Sequence, residues 1–185
     1  MTRLTLLVRG INVGGKHKVV MAQLRQELTE LRLENVETYI NSGNIFFDTS
    51  IVRNQLVETL KGFFEKHYPF IQSFSLLSNE DYEKELRNLP DWWNYEMARK
   101  DVLFYTEGLD MNQVIEKVNS LELVDEVLHF GRLGIFWGKL SETTYSKTAY
   151  HKHLLKMPFY RNITIRNANT FDKIGQLLKH KEGDT

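Results

Sequence analysis

One order of elements, met twice along the chain, constrains the fold more than any other feature. Leu4–Val8 is an apolar run bounded by a glycine, which predicts a buried strand. Met21, Leu24, Leu28 and Leu31 then recur at helical spacing and predict an amphipathic helix over 21–33. "VETYINSGNIFFD" predicts two short strands turning at Ser42-Gly43, where glycine supplies the turn geometry. Ile51, Leu56, Leu60 and Phe64 mark one broad apolar helical face, and "FIQSFSLL" a further strand. The order then recurs. "DVLFYT" is a strand, 110–121 a helix, and "EVLHFGRLGIFWG" a hairpin turning near Gly131-Arg132. A helix over 145–155, the strand "NITIR" and a last helix through Phe171, Ile174, Leu177 and Leu178 complete it.

Strand-helix-hairpin-helix-strand is the ferredoxin-like order. The expected fold is α+β: two ferredoxin-like (β-α-β-β-α-β) units, mostly antiparallel sheets with helices on one face. The expected division is an N-terminal unit at 1–78, a helical junction at 79–100, and a C-terminal unit at 101–185 with an extra terminal helix. Two copies point to a duplication, although the halves share little residue by residue. Ser78 and Asp81 stand at capping distance ahead of a helix over 79–88, which Pro90 ends. The tail "KHKEGDT" is polar and reads as frayed.

With 42% hydrophobic residues in 185, a real core is available. Lys plus Arg and Asp plus Glu both number 24, so the formal net charge is zero. That argues against a non-specific nucleic-acid coat protein and leaves room for a local basic pocket. The absence of cysteine rules out a disulfide scaffold, a thiol nucleophile and a cysteine-bound metal. The N-terminal apolar run is too short for a signal peptide, and no run approaches the roughly 20 residues that span a bilayer. A cytoplasmic location with no membrane partner is expected.

Three polar clusters carry the functional argument. In "VRGINVGGKHK", Gly10, Gly15 and Lys16 have the spacing of the first part of a phosphate-binding P-loop. The Ser or Thr that would hold magnesium is replaced by His17, and the β-branched pair Val19-Val20 delays the helix. A glycine-rich crossover with solvated lysines explains the loop equally well. Yet Arg9, Asn12, Lys16 and Lys18 lie within ten residues at one end of a buried strand. "YINSGNI" sets Ser42 and Asn44 around a tight glycine turn, which is also ordinary hairpin chemistry. "TIRNANT" places Arg166, Asn167 and Asn169 where the final strand enters the final helix. Asn167 there is either a cap or part of an anion site beside an arginine. Ser146 to Thr148 repeats the theme at another helix start.

Together, "RGINVGGKHKVVMAQL", "YINSGNIFF", "YSKTAYHKHL" and "TIRNANTFDKI" resemble the bacterial domain-of-unknown-function family 1697 over nearly the whole chain. The resemblance implies an α+β fold with ferredoxin-like units and brings no activity with it. It places Arg9, Gly10, Asn12, Gly14, Gly15, Lys16, Lys18, Ser42, Gly43, Asn44, Ser146, Thr164, Arg166, Asn167, Asn169 and Thr170 in the family pattern without giving any of them a role.

Other signals are set aside. His151 and His153 stand two apart on an expected helix and point apart, and the chain lacks a zinc or serine-hydrolase motif. "GRLGIFWG" lacks the spacing of RNA-recognition strands, and Phe136 and Trp137 must face opposite sides of a strand. Trp92 and Trp93 either meet a ligand or close the junction. The expected function is binding of an anionic or phosphorylated ligand: a nucleotide, a phospho-metabolite or a nucleic-acid end. The ligand residues would be Arg9, Asn12, Gly14, Gly15, Lys16, Lys18, Ser42, Asn44, Arg166, Asn167 and Asn169. The cofactor is left open. So is an enzyme acting on such a substrate, and so is an interaction protein with no small-molecule site. Free strand edges are compatible with a homodimer.

Overall fold

The structure is a computed structural model and describes residues 1–179. The predicted fraying of the "KHKEGDT" tail falls almost wholly outside them. The fold is α+β, with two four-stranded antiparallel sheets and six α-helices among the described residues. The first half runs β1 (Thr2–Val8), α1 (Met21–Glu30), β2 (Glu34–Tyr39), β3 (Asn44–Thr49), α2 (Arg53–His67), β4 (Phe74–Ser78) and α3 (Asn79–Arg87). The second runs β5 (Arg99–Tyr105), α4 (Met111–Asn119), β6 (Glu126–Phe130), β7 (Gly134–Lys139), α5 (Ala149–His153), β8 (Ile163–Asn167) and α6 (Ala168–Leu178). Strand order is β2-β3-β1-β4 in one sheet and β6-β7-β5-β8 in the other, the same order shifted by one half.

The expectation that helices cover one face of each sheet is corrected. Every residue of β3 and β7 is buried, and so is β1 after its first residue, so both faces need cover. Leu4, Leu6 and Val8 of β1 pack with Leu24 of α1 and Leu56, Leu60 and Phe64 of α2. Leu103 and Trp137 pack with Val114 of α4 and Ala149 of α5 on the far side of the second sheet. Between the sheets, Leu7, Phe46 and Leu77 from one and Val102, Phe104 and Phe136 from the other close on Tyr82 of α3 and Phe171, Ile174 and Leu178 of α6. Phe136 and Trp137 therefore serve two different cores, as alternation along a strand requires. Trp93 is buried in the middle core, edge-on to Phe136 and Phe171. The terminal helix α6 is the counterpart of α3: each follows the last strand of its half and enters the shared middle layer. Both start on a side-chain cap, Ser78 accepting from the Asp81 N–H at 3.1 Å and Asn167 from the Thr170 N–H at 2.9 Å.

The single helix expected over 145–155 is broken. A 3-10 turn at Tyr145–Lys147 leads into α5, and a second follows at Leu154–Lys156. Thr148 has extended backbone, and its hydroxyl donates to Tyr145 O at 2.6 Å and accepts from the His151 N–H at 3.1 Å. This hydroxyl ends one turn and starts the next.

Candidate functional site

The glycine-rich loop is a miniature β-hairpin. Gly14 and Gly15 have φ of 59° and 73°, two consecutive left-handed residues that close a tight mirror-image turn. The Lys16 N–H donates to Val13 O at 3.0 Å, and the Asn12 N–H to His17 O at 3.0 Å. A P-loop keeps its N–H groups free to wrap phosphate; here those of Asn12 and Lys16 close the hairpin. Asn12 fastens it at two points: Oδ1 accepts from the Val19 N–H at 2.8 Å, and Nδ2 donates to Asn41 O at 2.9 Å. Lys16 and Lys18 stand exposed on this pinned hairpin, and neither side chain makes a hydrogen bond or ion pair among the described residues.

Asn41 belongs to the β2–β3 turn, the second sequence cluster. Gly43 has φ 92°, and an added Cβ would strike Val8 Cγ2, so only glycine fits. Ile40, β-branched and half exposed, is held at φ 50°, a strained conformation for its side chain. Beneath the turn lies Arg166 of β8, only 7% exposed. Its Nε donates to Asn44 Oδ1 at 2.6 Å. Nη2 donates to Val8 O at 2.7 Å, with Ser42 O at 3.2 Å and Gly43 O at 3.3 Å, and Nη1 to Ile165 O at 2.9 Å. Asn44, fully buried, donates in turn to Tyr39 O and Ser42 Oγ. Among the described residues the guanidinium has no carboxylate partner, and burial pushes its pKa down to about 10. It carries its charge up to that point and holds the turn of one half against a strand of the other. Arg9 makes a similar crossing: it donates to Tyr160 O and, at 3.3 Å, to Ile163 O, with its guanidinium 4.6 Å from the Tyr160 ring centre.

One residue further along β8 the chain faces a different space. Asn167 and Asn169 line a cavity of about 510 Å³ with Arg99, Asp101, Tyr145 and Tyr150. Lys139 lies fully buried next to it, its Nζ donating to Asp101 Oδ2 at 2.5 Å and lying 3.7 Å from the Tyr150 ring centre. Desolvation lowers the lysine's pKa and raises that of the Tyr150 phenol. Glu126 completes the network, accepting from Trp137 Nε1 at 2.9 Å and from the Ala149 N–H at 2.6 Å at the start of α5. Arg99 at the rim is engaged by Glu142 through two bonds of 2.9 and 3.0 Å and stacks on Tyr145.

The family model described as Protein of unknown function (DUF1697) matches residues 1–136. The chain belongs to this family. Among solved structures, it is similar to the conserved bacterial protein SP0830 from Streptococcus pneumoniae, at 74% identity and a TM-score of 0.95. That likeness covers 96% of this chain and 99% of the other. A comparison with curated proteins gave no match.

The four sequence blocks of this DUF1697 chain thus form one connected region: hairpin to turn through Asn12, turn to β8 through Arg166, and β8 to the 145–150 segment across the cavity. The eleven expected ligand residues divide within it. Lys16 and Lys18 are free and exposed on the hairpin that Gly14 and Gly15 turn. Asn12, Ser42, Asn44, Arg9 and Arg166 are bonded within the protein, and Asn167 and Asn169 face the cavity. Sequence reasoning missed Asp101, Lys139 and Glu126. A signal for Lys139 exists: it follows Ile135 and Trp137 at alternate positions of "GIFWGK", which assigns it to their inward face. Among the described residues, no group of three or more His, Asp or Glu could hold a metal, and no helix is long and apolar enough to cross a membrane.

Proposed function

We propose that this protein binds a ligand through a phosphate-like anionic group at the surface formed by the 12–17 hairpin and the 40–43 turn. One observation carries the reading. In a chain of zero net charge, residues 1–26, 38–47 and 143–171 contain no Asp or Glu, and the contacts of Arg9, Asn12 and Arg166 bring these acid-free stretches together. Lys16 and Lys18 supply exposed charge, and Arg166 adds a buried charge that no carboxylate among the described residues cancels. Because Arg166 is spent on the turn, its part is to position Ser42 and Gly43 and to raise the local potential. The same reading takes each half as a ferredoxin-like unit, supported by the β-α-β-β-α-β order and the central place of the first and third strands. The experiment is thermal melting with inorganic phosphate and with nucleotides. A ligand at about 100 times its Kd adds roughly 2.7 kcal/mol. The shift is expected in the wild type and lost in the Lys16→Ala/Lys18→Ala variant; an equal shift in both overturns the site.

A second reading, an enzyme acting on a phosphorylated substrate, draws on the Lys139–Asp101 pair beside the cavity. It requires Lys139→Met, if still folded, to abolish turnover of a substrate that continues to bind.

A further inference from the structure

The acid-free stretches carry more exposed cations than one phosphate needs. Lys147, Lys152, Lys156 and Arg161 are all exposed in the 143–171 stretch, and none of their side chains makes a hydrogen bond or ion pair among the described residues. Lys61, Lys84 and Arg99 show the alternative, being paired with Glu58, Glu80 and Glu142. The Arg9 contacts to Tyr160 O and Ile163 O make the loop bearing Lys16 and Lys18 adjoin the loop bearing Arg161. Lys156 and Lys152 then follow through the short 3-10 helix that packs on α5. With Lys147 in the 3-10 turn that precedes and contacts α5, six cations unpaired among the described residues lie along one connected course.

Two features narrow the partner. The large exposed apolar side chains here, Val13, Val20, Ile40 and Leu155, are aliphatic, and the exposed rings are the small imidazoles of His17, His151 and His153, so no exposed Phe, Tyr or Trp stands here as a broad platform for bases. The longest helix within the 143–162 stretch is the five residues of α5, too short to lie on a membrane as an amphipathic helix. Resting on the anion-binding reading above, we propose that the partner is a nucleic acid held by its phosphodiester backbone, without reading of its bases. Each lysine or arginine that neutralises a phosphate releases bound counterions, so salt must weaken the complex steeply.

The test is fluorescence anisotropy with a labelled oligonucleotide of about 20 residues, single-stranded and duplex, titrated between about 50 and 200 mM salt. With six contacts, log affinity against log salt should fall with a slope near −4 for the single strand and about −5 for the duplex, a loss of several hundred-fold or more over that range. In Lys152→Ala/Lys156→Ala/Arg161→Ala the single-strand slope should halve to about −2. Its melting temperature should not move, because these side chains hold nothing. The inference is overturned if oligonucleotides bind no tighter than a mononucleotide, if the triple variant keeps the full slope, or if vesicles of anionic phospholipid bind and oligonucleotides do not. A phosphate-induced melting shift that persists in any of these cases leaves the anion site standing; its loss as well removes both.

Discussion

The β2–β3 and β6–β7 hairpins are each gripped by a buried charge from another element, and the two charges are opposite. In the first half, Arg166 reaches from β8 to the carbonyl oxygens of Val8, Ser42 and Gly43 at the β2–β3 turn. In the second, Glu85 of α3, 1% exposed, accepts the backbone N–H of Leu133 at 2.6 Å, and that of Arg132, at the β6–β7 turn. Each charge is matched to the backbone pole it meets, a cation to carbonyls and an anion to amides. Neither needs an ion partner to be satisfied. The difference lies in what burial can do. A carboxyl can take up a proton, and burial raises the pKa of Glu85. A guanidinium with a pKa of about 10 stays charged at neutral pH. The first grip is fixed, and the second is open to titration.

Removing the fixed grip gives the largest expected effect. Arg166→Met takes the guanidinium's N–H groups from Asn44 Oδ1 and the buried Val8 O and releases the turn, and should cost about 3–5 kcal/mol of unfolding free energy in urea. Arg166→Lys should recover little, because an ammonium lacks the planar fork that serves the turn and Asn44 together. A cost below about 1 kcal/mol for Arg166→Met would break the comparison. Next comes Gly43→Ala, which must adopt φ 92° and drive its Cβ into Val8; about 2–3 kcal/mol is expected.

Glu85→Gln sharpens the contrast. It keeps one acceptor and should cost about 1–2 kcal/mol near neutral pH. Its sign with pH follows from the raised pKa. Between the ordinary carboxyl value of 4.5 and the higher native value, the folded state holds a proton that the unfolded state has lost. Wild-type stability therefore falls as pH rises through that window, and the Gln variant lacks this slope. The Arg166→Met difference should stay flat from about pH 5 to 9, because the arginine is charged throughout in both states. Urea melts across that range separate the two behaviours.

These grips also show what was legible in the chain. The repeated order of strands and helices was open to reading, because apolar period and glycine position decide it locally. The helices on both sheet faces were not. Burial of β1 on two sides shows only as an unbroken apolar run, and α6 looks like an appendage until it meets α3. Around the site, "TIRNANT", "YINSGN" and "RGINVGGKHK" were recognisable as clusters, and they do adjoin. Their roles were hidden, since a buried arginine that binds carbonyls and an exposed arginine that awaits phosphate look alike in one dimension. Glu85 drew no attention for the same reason: its carboxylate sits among others on a helix, and its partner amide of Leu133 lies 48 positions away.

The smallest expected effect on stability carries the most about function. Lys16→Ala/Lys18→Ala removes two exposed side chains that make no hydrogen bond or ion pair among the described residues, on a hairpin already fastened by Asn12 and closed by Gly14 and Gly15. The change in unfolding free energy should be within about 0.5 kcal/mol. Asn12→Ala should cost about 1–2 kcal/mol through its two lost bonds while leaving both lysines in place. If the lysines alone matter, the Asn12 variant binds phosphate once folded and the lysine variant does not. If a fixed hairpin geometry also matters, both lose binding while only one loses stability. That second pattern would mean that the loop is held rigid for the ligand, giving the fixed grip of Arg166 on the neighbouring turn a purpose that the titratable grip of Glu85 does not share.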